Sequence, residues 1–182
     1  DFFKDKSLKF FLQIGSSLEY GDTGTPHREN QKCLPKANYA KAKFRAGKYI
    51  QKMSKKFKFD YLILRLYQIY GPNQKANRLL PSSIVHLLKN KKFICSDGTQ
   101  LRDFLYIEDL TSIIIKLISK NFYGILNVSG FSSSYLYIIK KISKILKIEP
   151  KITYRKRTTP KVNKTYSNKL VKKIFPKIKL TS

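Results

Sequence analysis

Apolar and polar positions along the chain follow two rhythms. Residues 8–15 (LKFFLQIG) form a short apolar run closed by glycine, the pattern of a strand buried on both faces. A loop rich in Gly, Thr and Pro spans 21–35, and residues 38–57 then place Phe44, Gly47, Ile50 and Met53 three apart, which predicts an amphipathic helix. A second buried strand is expected over 61–67 (YLILRLY), broken by Gly71-Pro72. Residues 81–89 read as a helix with Pro81 in its first turn. Short strands are expected at 93–95 and 101–107, joined through a Ser96-Asp97-Gly98 turn. A strongly apolar helix follows over 109–119, then a strand at 125–128. Ser132, Ser133 and Ser134 supply hydroxyls to cap a helix running to about Lys147. One more strand is expected at 151–154 and a short helix at 168–175. Strands alternating with helices predict an α/β fold with a largely parallel sheet.

Composition changes this picture in two places. The 182 residues are 42% hydrophobic and 13% aromatic, which excludes a disordered polybasic tail. No apolar run approaches the ~20 residues of a membrane-spanning helix, and residues 1–6 read as a helix end and not a signal peptide. Cys33 and Cys95 form neither a disulfide framework nor a metal-binding spacing; they are expected to be reduced thiols of a cytoplasmic protein.

Charge raises a separate possibility. With 38 Lys and Arg against 11 Asp and Glu, the formal net charge is +27, which invites a nucleic-acid or polyanion binding module. The distribution points elsewhere: seven of the cations are Arg, and the lysines spread along the whole chain with twenty Ile beside them, a compositional bias. The densest basic stretch, 151–173, remains a candidate patch for an anionic partner through Lys151, Arg155, Lys156, Arg157 and Lys161.

Three pieces can carry chemistry. Tyr39 and Lys43, four apart, share one helix face. An ammonium beside a phenol favours phenolate and suits general acid–base work, although in so Lys-rich a chain the spacing also describes a solvated face. Gly15-Ser16-Ser17 ends a buried strand, where open α/β sheets bind ligands; a simple turn is the alternative. Arg102, in LRDFLYIEDL, offers a fork of donors to a phosphate, or to a neighbouring Asp.

Together and in this order the segments IGSSLEYG, PKANYAKAK, LRLYQIYGPNQKANRLLP and SDGTQLRDFLYIEDL resemble the extended short-chain dehydrogenase/reductases, the nucleotide-sugar epimerases, dehydratases and ketoreductases. The resemblance implies a partial Rossmann-type, doubly wound parallel sheet with a smaller α/β substrate-binding lobe. Residues 1–75 would belong to the coenzyme domain and 76–182 mainly to the substrate lobe, with 101–130 returning to the Rossmann sheet. It implies NAD or NADP as cofactor and a nucleotide-diphosphate sugar as substrate, with no specific nucleic acid, no membrane and a homodimer formed partly through helix 38–57.

Residue by residue, the resemblance makes Tyr39 the proton-transfer group and places Lys43 on the nicotinamide ribose. Ser16 would bond the reacting sugar oxygen, and Tyr67 and Ile69 would lie along the nicotinamide. Ser17, Gln68, Asn77, Arg78 and Arg102 would contact substrate, with Arg102 on the diphosphate. Hydride would pass between nicotinamide C4 and a sugar carbon, usually C4.

Three departures refine this. Sugar 4,6-dehydratases carry an acidic pair where this chain has Ser17-Leu18, which favours a 4-keto-6-deoxy-sugar reductase or C4 epimerase of surface-polysaccharide synthesis over a dehydratase. Gln68 stands where relatives usually have Asn. None of the eight glycines forms the Gly-rich turn that receives a dinucleotide pyrophosphate, so the chain is expected to be an internal fragment, inactive alone, with an exposed sheet edge.

Overall fold

A computed structural model describes residues 8–156, 163–166, 169–176 and 180–181. The expected helix end at 1–6, Arg157 and Lys161 of the basic stretch, and Asn168 lie outside the described residues.

Three parallel strands hold the centre: β1 (Phe10–Ser16), β2 (Asp60–Leu66) and β6 (Gly124–Val128), in the order β1-β2-β6. Register brings Ser16, Leu66 and Val128 side by side at the carboxyl edge. β2 is continuously apolar because both its faces are covered: Leu62, Ile63 and Leu64 are fully buried. Its side chains alternate between those faces. Leu62 and Leu64 join a core with α3 (Ile107–Ser119) and α5 (Lys169–Ile174), supplied by Ile113, Leu117 and Val171. On the other face lies α1 (Asn38–Phe57), whose Ile50 and Met53 pack with Phe59. Helices on both sides of a parallel sheet make the doubly wound arrangement expected from the sequence.

Beyond Leu66 the chain leaves the sheet and forms a second one. β3 (Gln68–Tyr70) pairs in parallel with β5 (Leu101–Tyr106), which pairs antiparallel with β7 (Phe131–Ser134). A third pair, β4 (Phe93–Cys95) with β8 (Ile152–Tyr154), accompanies α2 (Leu79–Leu88) and α4 (Tyr135–Leu146), which pack on each other.

β4 and β5 are the short strands expected on either side of Ser96-Asp97-Gly98, and they go to different sheets, each to a partner distant in sequence. Two expectations are corrected here. Residues 131–134 form a strand, and of the three serines Ser134 alone caps α4, accepting from Tyr137 N–H at 3.1 Å. Within residues 101–130, β6 joins β2 while β5 pairs with β3 and β7, since β3 has already peeled away from the central sheet.

Residues 163–166 form a strap between distant parts. His27 N–H donates to Thr165 O at 2.9 Å and Lys164 N–H to Leu101 O at 3.0 Å. Tyr166 N–H donates to the Asp103 carboxylate at 2.8 Å, and its hydroxyl reaches Ser129 O at 3.1 Å.

Candidate active site

The carboxyl ends of β1 and β2 open into a cleft with two compartments. One, of about 350 Å³, is lined by Ser16, Ser17, Leu18, Tyr39, Tyr67, Gln68, Arg78, Arg102 and Lys164. The other, of about 240 Å³, adds Ile14, Gly15, Leu66, Ile69 and Gln74 to a shared wall of Ser16, Tyr39, Tyr67, Gln68 and Arg78.

Ser16 reaches this wall because β1 stops there. Its extended backbone (φ −150, ψ 143) caps a 3₁₀ turn over Ser17–Tyr20, and its Oγ accepts the Leu18 N–H at 3.2 Å. The turn closes at Gly21, whose φ of +70 is one that L side chains avoid and where a Cβ would collide with the Leu34 carbonyl.

Tyr39 arrives from the first turn of α1 and stays half exposed. Lys43, one turn later, holds its Nζ 5.8 Å from the Tyr39 ring centroid and donates to Ile14 O at 2.9 Å. This bond ties the helix to the strand end that borders the smaller compartment. Gln13 adds a second tie, its Nε2 donating to Lys43 O at 3.2 Å.

The cationic side is more loosely held. Arg102 donates to its neighbour Leu101's carbonyl at 2.8 Å and lies over the Tyr135 ring, 5.6 Å from its centroid. Arg78 is exposed. Lys164 is half-buried and reaches Gly21 O at 3.4 Å; burial lowers the pKa of its ammonium, with Arg102 and Lys36 adding to this and Asp22 opposing.

Of the residues singled out in the sequence, Ser16, Ser17, Tyr39, Tyr67, Gln68, Arg78 and Arg102 line the larger compartment and Ile69 the smaller. Lys43 touches the site through Ile14 O. Asn77 is exposed and lines neither compartment. Lys164 was not singled out, since one lysine among so many carries no signal. Cys33 and Cys95 are both free thiols. Lys151, Arg155 and Lys156 are exposed.

A sequence model of the NAD dependent epimerase/dehydratase family matches residues 1–129. The chain belongs to this family. It is 31% identical over 157 residues to the dTDP-D-glucose 4,6-dehydratase of Dictyostelium discoideum, covering 78% of this chain and 36% of that protein. An uncharacterized UDP-glucose epimerase of Bacillus subtilis (strain 168) is 29% identical over 118 residues, 64% of this chain and 37% of its own length. The UDP-glucuronic acid 4-epimerase of Bacillus cereus, solved with NAD, superposes with a TM-score of 0.87 at 25% identity, over 98% of this chain and 59% of that one. The chain therefore spans between about a third and three fifths of the length of these relatives.

The residues present suit the nicotinamide end of the family's coenzyme. The smaller compartment combines strand ends and the apolar Ile14, Leu66 and Ile69 with the polar Gln68, Gln74 and Arg78, the two phenols Tyr39 and Tyr67 on its wall and an ammonium anchored to its rim. No Gly-rich phosphate turn occurs in the sequence, so these residues account for that end alone.

Buried polar groups flank the cleft. His27 stacks on Tyr20 with centroids 4.4 Å apart and shares a 3.0 Å hydrogen bond with the Tyr67 hydroxyl; burial lowers its pKa to about 4. Burial also raises the Tyr67 phenol well above its usual range. Asp103 is pushed up to about 6 by burial, against hydrogen bonds from Ser132 and the Tyr166 N–H. Among the described residues no group of three or more His, Cys, Asp or Glu is placed to hold a metal ion. No helix among them is long and apolar enough to cross a membrane.

Proposed function

We propose that this chain is the carboxy-proximal part of an NAD(P)-dependent nucleotide-sugar oxidoreductase acting at C4 of a hexose, as a 4-keto-6-deoxy-sugar reductase or a C4 epimerase. The observation that carries this is the shared wall: Ser16 and Tyr39 border both a smaller slot, with Ile14, Leu66 and Ile69 among its walls, and a larger compartment whose charged lining is cationic. A flat ring and an anionic sugar nucleotide can thus meet at one hydroxyl pair.

Tyr39 gives or takes the sugar-oxygen proton, and Lys43 stabilises negative charge as that proton leaves. Ser16 hydrogen-bonds the same oxygen. Tyr67 and Ile69 flank the nicotinamide, while Ser17, Gln68 and Arg78 hold the sugar nucleotide; Asn77, outside both compartments, takes no part in this reading. Arg102 binds the diphosphate, with its fork of donors. The coenzyme, when bound, exchanges hydride at its nicotinamide C4 with the sugar carbon. A cytoplasmic enzyme of surface-polysaccharide synthesis, paired through α1, fits the free thiols and the long helix.

The dehydratase reading is favoured by the names of several relatives. Against it, no carboxylate lines the larger compartment among the described residues, and Ser17-Leu18 occupies the place of the acidic pair. A nucleic-acid module leaves the placing of Ser16, Tyr39 and Lys43 around one cleft unexplained.

The test is a screen of the intact protein with NADH, NADPH, UDP-glucose, dTDP-glucose and a dTDP-4-keto-6-deoxyhexose. Reduction of the keto sugar or C4 epimerisation is expected, lowered roughly 10²–10⁴-fold by Tyr39→Phe. Undiminished hydride transfer in that variant overturns the assignment, and a 4-keto-6-deoxy product from dTDP-glucose selects the dehydratase.

A further inference from the structure

Glu19 and Arg65 line neither compartment, yet they form an ion pair removed from water, at 2% and 5% side-chain exposure. Such a pair is weak evidence for stability, because apolar residues of similar volume often serve as well. Its geometry points to another task.

Both carboxylate oxygens are committed. Oε1 accepts the backbone N–H of Ser16 at 2.8 Å, and Oε2 accepts Arg65 Nε–H at 3.0 Å. Arg65 Nη1 donates to the Tyr20 hydroxyl at 2.9 Å and to Glu29 O at 3.2 Å, while Tyr20 donates to Asn127 Oδ1 at 2.8 Å. The turn bearing Ser16 is thereby fastened to β2 and β6. Gly15 leaves the room for this, since a Cβ there would lie 2.6 Å from Glu19 Oε1 and 3.2 Å from Leu64 O.

We infer that the Glu19–Arg65 pair positions Ser16 for catalysis, holding its N–H from behind while Leu18 N–H occupies an Oγ lone pair, so that the hydroxyl proton is the group left to donate into the cleft. This rests on the reading of Ser16 as the hydroxyl that meets the sugar oxygen. Glu19 and Arg65 are positioning residues that act through Ser16.

A glutamine at position 19 has one acceptor where the site requires two, for Ser16 N–H and for Arg65 Nε–H. In the intact protein, with NADPH and a dTDP-4-keto-6-deoxyhexose as the probe, Glu19→Gln is expected to lower kcat roughly 10- to 100-fold, the scale of a small misplacement of a reacting group, with KM nearly unchanged. The deciding measurement is a double-mutant cycle with Ser16→Ala, in which the loss from Glu19→Gln should vanish. An equal loss in both backgrounds, or no loss in either, overturns the positioning role. An unchanged kcat in Ser16→Ala alone instead removes the proposed role of Ser16, a separate failure. If Glu19→Gln does not fold, Arg65→Lys, which keeps the charge but not the fork, takes its place in the same cycle.

Discussion

The two sides of the cleft are built on opposite plans. On the Ser16 side the turn is held by buried partners: Glu19 with Ser16 and Arg65, Tyr20 with Asn127. On the opposite side Arg102 donates to Leu101 O and Gln100 Oε1 and lies over the Tyr135 ring, Arg78 is exposed, and Lys164 reaches Gly21 O at 3.4 Å. A buried network in low dielectric fixes one geometry and makes departures costly. An exposed cation such as Arg78 can turn to an arriving anion at little cost. The side that would do chemistry is thus set before a ligand arrives, and the side that would bind phosphate adapts to it.

Breaking the rigid side should have the largest effect. Gly21→Ala puts a Cβ against the Leu34 carbonyl at a φ of +70, so it must distort the turn that Ser16 caps. A loss of at least about 4 kcal/mol is expected, at the upper end of single-residue effects, measured by denaturant unfolding followed by circular dichroism.

Next comes pH, through one buried group on each side: His27, stacked on Tyr20, and Asp103, next to Arg102 on β5. The Asp103 carboxyl sits at about 6 in the fold against 3.8 unfolded, so its stabilising contribution is complete below pH 3.8 and is lost as pH rises through 6. The His27 imidazole sits at about 4 against 6.5, so its contribution is complete above pH 6.5 and is lost as pH falls through 4. Each amounts to about 3 kcal/mol at most, and between pH 4 and 6 they oppose. Denaturant unfolding at pH 7, 5.5 and 4 should therefore separate two variants. Asp103→Asn should lose stability toward acid more steeply than the parent, and His27→Gln should gain it. Parallel pH profiles in the two would contradict the opposed shifts.

The adaptable side should respond in binding and not in folding. On the proposed reading, Arg102→Ala would remove a charge-assisted bond to a diphosphate, worth about 1.5–3 kcal/mol, and should weaken UDP or dTDP binding to the intact protein about 10- to 100-fold by calorimetry. Its unfolding midpoint should barely move. A matching loss of stability would place Arg102 in the rigid network instead.

The sequence made the central sheet and its helices legible because those elements are long and their covering is uniform. α1 begins and ends at the expected residues, and β2 had to be a strand apolar on both faces. The second sheet was harder to see. Its strands have three to six residues, too few to display a period, and Phe131–Ser134 looks like a cluster of caps. The cleft residues followed from motif order. Glu19 and Arg65 did not, although an arginine inside YLILRLY is a signal in its own right, since a charge there must be paired.

The strap at residues 163–166 bears on how the molecule assembles. Its bonds to His27 and Leu101 span about 140 and about 60 residues of chain. Contacts so distant in sequence pay their loop-closure entropy before they return any stability, which makes them slow to form. The central sheet can collapse around β2 without them, whereas Lys164 reaches the cleft as the strap zips onto His27, Leu101 and Asp103. A polypeptide still emerging from the ribosome would hold the Ser16 turn well before it had the cation that faces it.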